Sequence, residues 1–258
     1  TRDAKELEAK FTDDGYAPVI MYAQDDADEQ ASQVSDMTEE GVSAMVIAPV
    51  DPYGLSEELK AAKEAEIPVI AYDDLIMNTD GVKYYVTFGG RQIGQLIGQE
   101  IIDKEELDKL QEEKGSKTIE FLMGSLDDTQ ALFFYNGLME KLQPYLDDGT
   151  LVCKSGQITF EETGILRWSM DEAQSRAEDI LEEAYQDGEA PDIICTGFDG
   201  AAEGAVNALQ NNGLTLGENW PMITGVGCDE DAVRDIAESE IAASLWIAEY
   251  WQIRQKIW

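Results

Sequence analysis

The stretch Ile67-Pro68-Val69-Ile70-Ala71-Tyr72-Asp73-Asp74 contains the pattern from which the fold is predicted. Its first six residues form an apolar run without polar alternation, which is typical of a strand buried on both faces of a parallel sheet. An amphipathic stretch at 55–65 precedes this run and two carboxylates follow it. A helix, a buried strand and a polar strand end together form the repeating unit of an α/β protein.

The same unit recurs along the chain, so we predict an α/β fold with two Rossmann-like lobes. Apolar runs predict strands at Ala17–Tyr22, Ala44–Ala48, Pro68–Tyr72, Lys83–Phe88, Thr118–Met123, Leu151–Gln157, Asp192–Thr196, Met222–Gly225 and Ala242–Ile247. Amphipathic stretches predict helices at 1–8, Asp26–Glu40, Leu55–Ala65, Gly90–Asp103, Asp128–Leu142, Asp171–Tyr185, Gly200–Asn211 and Asp229–Glu238. The units divide into a first lobe, 1–88, and a second, 89–238. No Pro/Gly/Ser-rich linker separates them, which favours a direct crossover near 87–90.

Composition excludes several kinds of function. The 258 residues carry 18 Lys+Arg against 54 Asp+Glu, a formal net charge of -36 that repels nucleic acid and anionic lipid. The chain has no histidine, so Ser-His-Asp catalysis and His-built metal sites are absent. Cys153, Cys195 and Cys228 are odd in number and widely spaced, and we interpret them as buried thiols. The chain opens at Thr1 with a helical pattern and no preceding strand, so we expect a processed or incomplete N-terminus.

Candidate binding residues follow the predicted strands, because ligands of open α/β sheets bind beyond the carboxyl ends of the strands. Asp73 and Asp74 follow a strand with no obvious helix to cap, whereas Asp127 is expected to cap the next helix. Trp168 lies just before a helix and outside an apolar period. It is either a packing residue or a platform on which a planar or sugar face stacks.

A set of motifs, in order and at consistent separations, carries a family resemblance. They are Ile70-Ala71-Tyr72-Asp73, Tyr84-Tyr85-Val86-Thr87-Phe88, Gly124-Ser125-Leu126-Asp127-Asp128, Phe133-Phe134-Tyr135-Asn136-Gly137, Leu142-Gln143-Pro144-Tyr145 and Leu166-Arg167-Trp168, together with the segment from Gly149 to Gly156. From Lys5 to about Ser239 the chain resembles the sugar-binding receptors of bacterial ABC importers, in particular the xylose and multiple-monosaccharide branch of the ribose-receptor-like group.

The resemblance implies a type I periplasmic-binding-protein fold, with a ligand cleft between two lobes that close by a hinge. It also implies a second crossover near 239–247, a return of 248–258 to the first lobe, and termini clipped at both ends. We expect an extracytoplasmic receptor that is not an enzyme and needs no cofactor or metal. The expected partners are an importer permease and, as a further one, a chemosensory receptor, but not nucleic acid. The expected ligand-binding residues are Asp73, Asp74, Gln130, Tyr135, Trp168, Phe198, Asp199 and Trp246.

Several positions depart from the family pattern, mostly by loss of a cation or an amide. They are Asp74 in place of Arg, Thr129-Gln130 in place of an Asn pair, Gly89-Gly90 in place of Asp-Asn, Val226-Gly227 in place of Gln-Asp, and Trp246 or its neighbour in place of Lys. The expected ligand is therefore a neutral monosaccharide, with a non-sugar ligand such as a nucleoside as an alternative. The ligand-sensing core of a LacI-type transcription regulator is a second alternative, which the net charge disfavours. A glycosidase is a third, and it is disfavoured because adjacent Asp73 and Asp74 would point to opposite sides of an extended segment.

Overall fold

The structure is a computed structural model that describes residues 2–185, 189–217, 219–228, 230–238 and 241–245. It divides into two compact units, and the division falls between Thr87 and Phe88. The predicted return of 248–258 and both ends of the predicted second crossover, 239–240 and 246–247, lie outside the described residues. Within the described ranges, no helix is both long and apolar enough to cross a membrane.

The first unit is a small parallel sheet with helices. Its elements in chain order are α1 (Arg2–Asp13), α2 (Ala27–Glu40), β1 (Met45–Ile47), α3 (Ser56–Glu64), β2 (Val69–Tyr72) and β3 (Val82–Val86). The strand order is β1-β2-β3, and both pairings are parallel. Its core includes the fully buried Val69 and Ala71 of β2 and Leu59 and Ala62 of α3. The apolar run that predicted a strand buried on both faces thus forms the central strand.

Helix α2 shows how local sequence fixes the bounds of an element. The Asp26 side chain accepts hydrogen bonds from the backbone N–H groups of Asp28 and Glu29, each at 3.0 Å. Gly41 ends the helix in the left-handed region, at φ 70°. Both signals stand in the sequence, and the predicted and observed bounds agree within one residue.

The predicted strand Ala17–Tyr22 is wrong. This segment is extended but pairs with no strand among the described residues, so it has no hydrogen-bonded ladder. Val19 is 61% exposed and Tyr22 51% exposed. The amide nitrogen of Gln33 reaches over from α2 to the Tyr22 carbonyl oxygen at 3.2 Å. An apolar run becomes a strand only when a neighbouring strand satisfies its backbone.

The second unit contains a five-stranded parallel sheet. Its elements are α4 (Gly90–Lys104), α5 (Leu107–Glu112), β4 (Lys117–Leu122), α6 (Thr129–Asp147), β5 (Leu151–Val152), α7 (Phe160–Thr163), a 3₁₀ turn (Leu166–Trp168), α8 (Met170–Ala184), β6 (Ile193–Thr196), α9 (Asp199–Asn211), β7 (Met222–Val226), α10 (Glu230–Glu238) and β8 (Ala243–Leu245). The strand order is β5-β4-β6-β7-β8. Successive residues of β4 enter different cores: Phe121 packs with residues of α4 and α6, and Leu122 packs with residues of α8 and α9. The sheet is therefore covered by helices on both faces.

Glycines bring α4 and α6 into close contact. A Cβ atom on Gly94 would lie 2.0 Å from the Phe134 carbonyl oxygen, and one on Gly137 would lie 1.9 Å from the Arg91 carbonyl oxygen. Real Cβ atoms essentially never approach other atoms within 3.0 Å. Only glycine fits at these two positions, so the backbones of the two helices touch directly.

The predicted strand Leu151–Gln157 is too long, because residues after Val152 hydrogen-bond to a buried carboxylate and not to a neighbouring strand. Glu120 of β4 is 2% exposed. Its side chain accepts hydrogen bonds from the backbone N–H of Ser155 at 3.1 Å and from the Tyr185 hydroxyl at 2.9 Å. The Ser155 hydroxyl donates to Glu120 as well. A buried carboxylate with several donors is well satisfied, and it bends the chain away from the ladder.

The predicted burial of the thiols holds for Cys195, whereas Cys153 and Cys228 are only partly buried. All three are free. Burial raises the pKa of the Cys195 thiol to about 12 and that of Cys153 to about 11. Both groups are thus protonated at neutral pH, and a protonated thiol is a poor nucleophile.

Candidate functional site

In the first unit, Asp73 and Asp74 form the turn that follows β2. The Asp73 backbone N–H donates to the Val86 carbonyl oxygen at 2.8 Å, and the Tyr85 hydroxyl donates to the Asp73 carbonyl oxygen at 2.9 Å. Asp73 adopts a left-handed conformation with φ 68°, which Asp tolerates better than most residues. The turn fixes Asp73 at the carboxyl end of β2, beside the end of β3. A ligand-binding role for both residues stays a prediction.

In the second unit, the 3₁₀ turn before α8 and the loop after β6 bring two aromatic side chains together. Trp168 and Phe198 meet edge to face, with ring centroids 5.3 Å apart and an interplanar angle of 86°. Edge-to-face contact is a favourable arrangement for aromatic rings. Trp168 remains 37% exposed, so part of the indole is available to a ligand.

Asp199 begins α9 directly after Phe198 and is 2% exposed. A carboxylate at a helix N-terminus is favoured by the helix dipole. Its carboxylate stands against the backbone of Gly227, where a Cβ atom would lie 2.8 Å from Oδ2. Gly227 has φ 141°, a conformation that side chains with a Cβ rarely adopt. Gly227 is therefore part of the wall around Asp199.

Gln130 lies in the first turn of α6 and is 4% exposed. Its backbone N–H donates to the Asp128 side chain at 2.7 Å, so Asp128 caps this helix. The prediction that Asp127 caps the helix is wrong by one residue. Asp127 instead accepts a hydrogen bond from the Ser125 hydroxyl. The Gln130 amide packs against Gly90, where a larger residue would clash: a Cβ atom on Gly90 would lie 2.8 Å from Oε1 of Gln130.

Tyr135 has contacts that belong to packing. Its hydroxyl donates to the Ile158 carbonyl oxygen at 2.7 Å, and its ring centroid lies 5.5 Å from that of Phe160. Burial raises the pKa of the phenol, and the charges of Glu161 and Glu162 add to this shift. A binding role for Tyr135 stays a prediction, and Trp246 lies outside the described residues.

Sequence reasoning missed the residues that hold Trp168. Arg167 and Trp168 are both left-handed, each with φ 55°, and such backbone strain costs on the order of 1–3 kcal/mol per residue. The Arg167 N–H donates to the Ser125 hydroxyl oxygen at 2.7 Å, and a Cβ atom on Gly124 would lie 2.3 Å from the Trp168 indole. The Gly124-Ser125 pair is visible as a motif, but nothing local in the sequence connects it to Arg167 and Trp168, more than 40 positions later.

Parallel sheets whose carboxyl ends carry a buried carboxylate, a buried amide and an aromatic pair are typical of α/β proteins that bind small polar ligands. The chain matches the family described as "Periplasmic binding protein domain" over residues 1–258 and belongs to that family. The predicted fold class, a type I periplasmic-binding-protein fold, is confirmed by this match and by the structural comparison below.

The chain is also similar in sequence to two curated relatives, and in sequence and structure to one solved protein. It is 39% identical to the multiple sugar-binding periplasmic receptor ChvE of Rhizobium radiobacter over 88% of this chain and 63% of that protein. It is 34% identical to the multiple sugar-binding periplasmic protein SbpA of Azospirillum brasilense over 95% of this chain and 68% of that protein. An ABC transporter solute-binding protein from Clostridium phytofermentans with bound β-D-glucose is 36% identical, with a TM-score of 0.86, covering 95% of this chain and 74% of that one. The chain thus spans about two thirds of the curated relatives' length.

Proposed function

We propose that this chain is the ligand-binding part of an extracytoplasmic solute receptor that captures a neutral monosaccharide for an ABC importer. The observation that carries the proposal is the Trp168–Phe198 pair directly followed by the buried Asp199. Sugars offer an apolar ring face and a rim of hydroxyl groups, and this arrangement supplies a partner for each. The likeness to a glucose-bound solute-binding protein supports the same conclusion.

The chemistry of binding follows from the groups in the second unit. The exposed part of the Trp168 indole stacks on the apolar face of the sugar ring. Asp199 accepts hydrogen bonds from sugar hydroxyls, and the Gln130 amide can both donate and accept. Hydrogen bonds to a charged group contribute roughly 1.5–3 kcal/mol each, so four or five polar contacts account for micromolar or tighter binding.

Location and partners follow from the same proposal. The two curated relatives are named as periplasmic sugar-binding proteins, and the solved neighbour is named as a component of an ABC transporter. We therefore propose an extracytoplasmic location and a membrane permease as the partner, with a chemosensory receptor as a further one. The proposed role is non-catalytic: the protein binds and releases its ligand unchanged.

Two alternatives are disfavoured on specific grounds. A regulator's sensing core would work next to DNA, and a net charge of -36 opposes that setting. A glycosidase would need two carboxyl groups facing one glycosidic bond, and Asp73 and Asp74 stand instead in a tight turn whose backbone groups bond to β2 and β3. A nucleoside would also stack on an aromatic pair, so it is included in the binding test.

The test is isothermal titration calorimetry against D-glucose, D-galactose, D-xylose, L-arabinose, myo-inositol and uridine. We expect at least one neutral sugar to bind with micromolar or tighter affinity. Trp168→Ala and Asp199→Asn should each weaken that affinity about tenfold or more. Matched controls are Leu216→Ala, an exposed apolar residue, and Asp171→Asn, an acid in the first turn of α8. A response to uridine alone, or equal losses in variants and controls, would contradict the proposal.

Ligand charge gives a second test. An anionic sugar would lose hydration next to the buried Asp199, and an unpaired buried charge costs several kcal/mol. We therefore expect D-galactose to bind more tightly than D-galacturonate, and D-glucose more tightly than D-glucuronate. Tighter binding of either uronate would overturn the assignment of Asp199 as a contact for a neutral sugar.

A further inference from the structure

The segment that carries Trp168 is held by contacts to the loop after β4. The Ile165 N–H donates to the Gly124 carbonyl oxygen at 3.1 Å, and the Arg167 N–H donates to the Ser125 hydroxyl oxygen at 2.7 Å. Ser125 is fully buried, at 0% exposure. These bonds fix the backbone directly before Trp168 from two neighbouring residues.

The Ser125 hydroxyl is oriented by a third residue. It donates its own proton to the Asp127 carboxylate, which leaves a lone pair directed at the Arg167 N–H. A hydrogen bond to a carboxylate is stronger than one between neutral groups. Asp127 itself is exposed, so it can be replaced without opening the core.

The indole of Trp168 packs against the loop after β4. A Cβ atom on Gly124 would be 2.3 Å from Cη2 and 2.4 Å from Cζ3 of the indole, so the ring rests against the glycine. Phe198 meets the same ring edge to face. The indole is therefore supported by Gly124 and Phe198, while Arg167 and Trp168 retain a left-handed backbone that they would not adopt on their own.

We propose that Ser125 and Asp127 are positioning residues that hold the Trp168 indole ready to stack, and that they thereby set the preference for ligands with a flat apolar ring face. This inference rests on the proposed function and names the residues that determine which ligands the receptor prefers. A pyranose in its chair form presents such a face, whereas an acyclic polyol does not. Loss of the pair should affect the pyranose far more than the polyol.

The test compares Ser125→Ala, Asp127→Ala and Asp127→Asn with the wild-type protein. Asp127→Asn keeps an oxygen that accepts from Ser125, so it should retain most of the affinity lost in Asp127→Ala. Ser155→Ala is the matched control, because it removes another serine hydroxyl that donates to a carboxylate in the same unit. Titrations use D-glucose and its acyclic reduction product, D-sorbitol.

We expect Ser125→Ala and Asp127→Ala to weaken glucose binding about tenfold, with at most a twofold change for sorbitol. In a Trp168→Ala background, Ser125→Ala should have no further effect, because its action passes through the indole. An equal loss for both ligands, or an undiminished effect of Ser125→Ala without Trp168, would overturn the inference.

A measurement without ligand separates this inference from the proposed function. Acrylamide quenching of Trp168, obtained as the difference from Trp168→Phe, should increase at least twofold in Ser125→Ala and Asp127→Ala but not in Ser155→Ala. Unchanged quenching would overturn the positioning role even if sugars bind. Increased quenching in a protein that binds no sugar would support the positioning role and count against the proposed function alone. If Ser125→Ala does not fold, Asp127→Ala and Asp127→Asn, which change an exposed residue, provide the same comparison.

Discussion

Replacing Gly94 by alanine should weaken the packing of α4 against α6. The new methyl group would lie 2.0 Å from the Phe134 carbonyl oxygen, whereas ordinary contact begins at 3.4 Å, so the helices must separate by about 1.4 Å. Overpacking of this kind costs roughly 1–3 kcal/mol, and the clash with backbone places Gly94→Ala near the upper end. Alanine regains about 1 kcal/mol of helix propensity, which leaves a net loss of about 2 kcal/mol in the free energy of unfolding.

The assay is urea denaturation followed by circular dichroism, together with hydrogen exchange of the α4 and α6 amides. Gly217→Ala is the matched control, because among the described residues beyond its chain neighbours the new methyl group meets just the Thr215 carbonyl oxygen, at 3.9 Å. That variant should change stability by less than about 0.5 kcal/mol. Gly94→Ala should also weaken sugar binding, since Gln130 stands in the first turn of α6. A Gly94→Ala protein as stable as the wild type would refute the close-contact argument.

Three further predictions follow from charge and burial. Asp73→Ala should weaken sugar binding about tenfold. Asparagine tolerates the left-handed φ of 68° at this position, so Asp73→Asn separates the loss of charge from backbone strain. Unchanged affinity in both variants would assign Asp73 to the turn alone. Burial raises the pKa of the Cys195 thiol from its usual 9.0 to about 12. Between about pH 9 and 12 the unfolded chain therefore loses this proton while the folded chain keeps it. The free energy of unfolding should fall by about 1.4 kcal/mol per pH unit over this range, and the thiol's contribution to stability is fully present below about pH 9. Urea denaturation at pH 8 and 10.5 checks this, and Cys195→Ala should reduce the difference between the two values. With a net charge of -36, moderate NaCl should raise the melting temperature by screening repulsion, and a fall on adding salt would contradict that interpretation.

The fold could be predicted where the controlling signals are local. The buried run of β2 and the cap residues of α2 are short-range patterns, and the predicted bounds match within a residue or two. The prediction failed at Ala17–Tyr22 and after Val152 because the outcome depends on distant groups. In the first case the described chain supplies no neighbouring strand, and in the second Glu120 captures the backbone of Ser155.

In the candidate site, too, individual residues could be predicted from the sequence, whereas the long-range contacts that hold them could not. Trp168 is predicted from its position before a helix and Asp199 from the family resemblance, and the structure brings the Trp168 indole against Phe198, the neighbour of Asp199. The hydrogen bonds from the loop after β4 to the segment before Trp168 join residues more than 40 positions apart, and no local pattern encodes a left-handed tryptophan. For Tyr135, the sequence did not show that its hydroxyl is bonded to a backbone carbonyl.

The three cysteine thiols differ in burial, and this difference offers a practical route to a labelled ligand sensor. Cys195 is fully buried and the pKa of Cys153 is raised, so both react slowly with maleimide dyes at neutral pH. Cys228 is partly exposed and directly follows Gly227, the glycine that backs the Asp199 carboxylate. A fluorophore attached there would sit one residue from the wall of the candidate site, without any engineered cysteine. Ligand arrival at Asp199 would change the polarity around the dye, so the native sequence already carries its own labelling position.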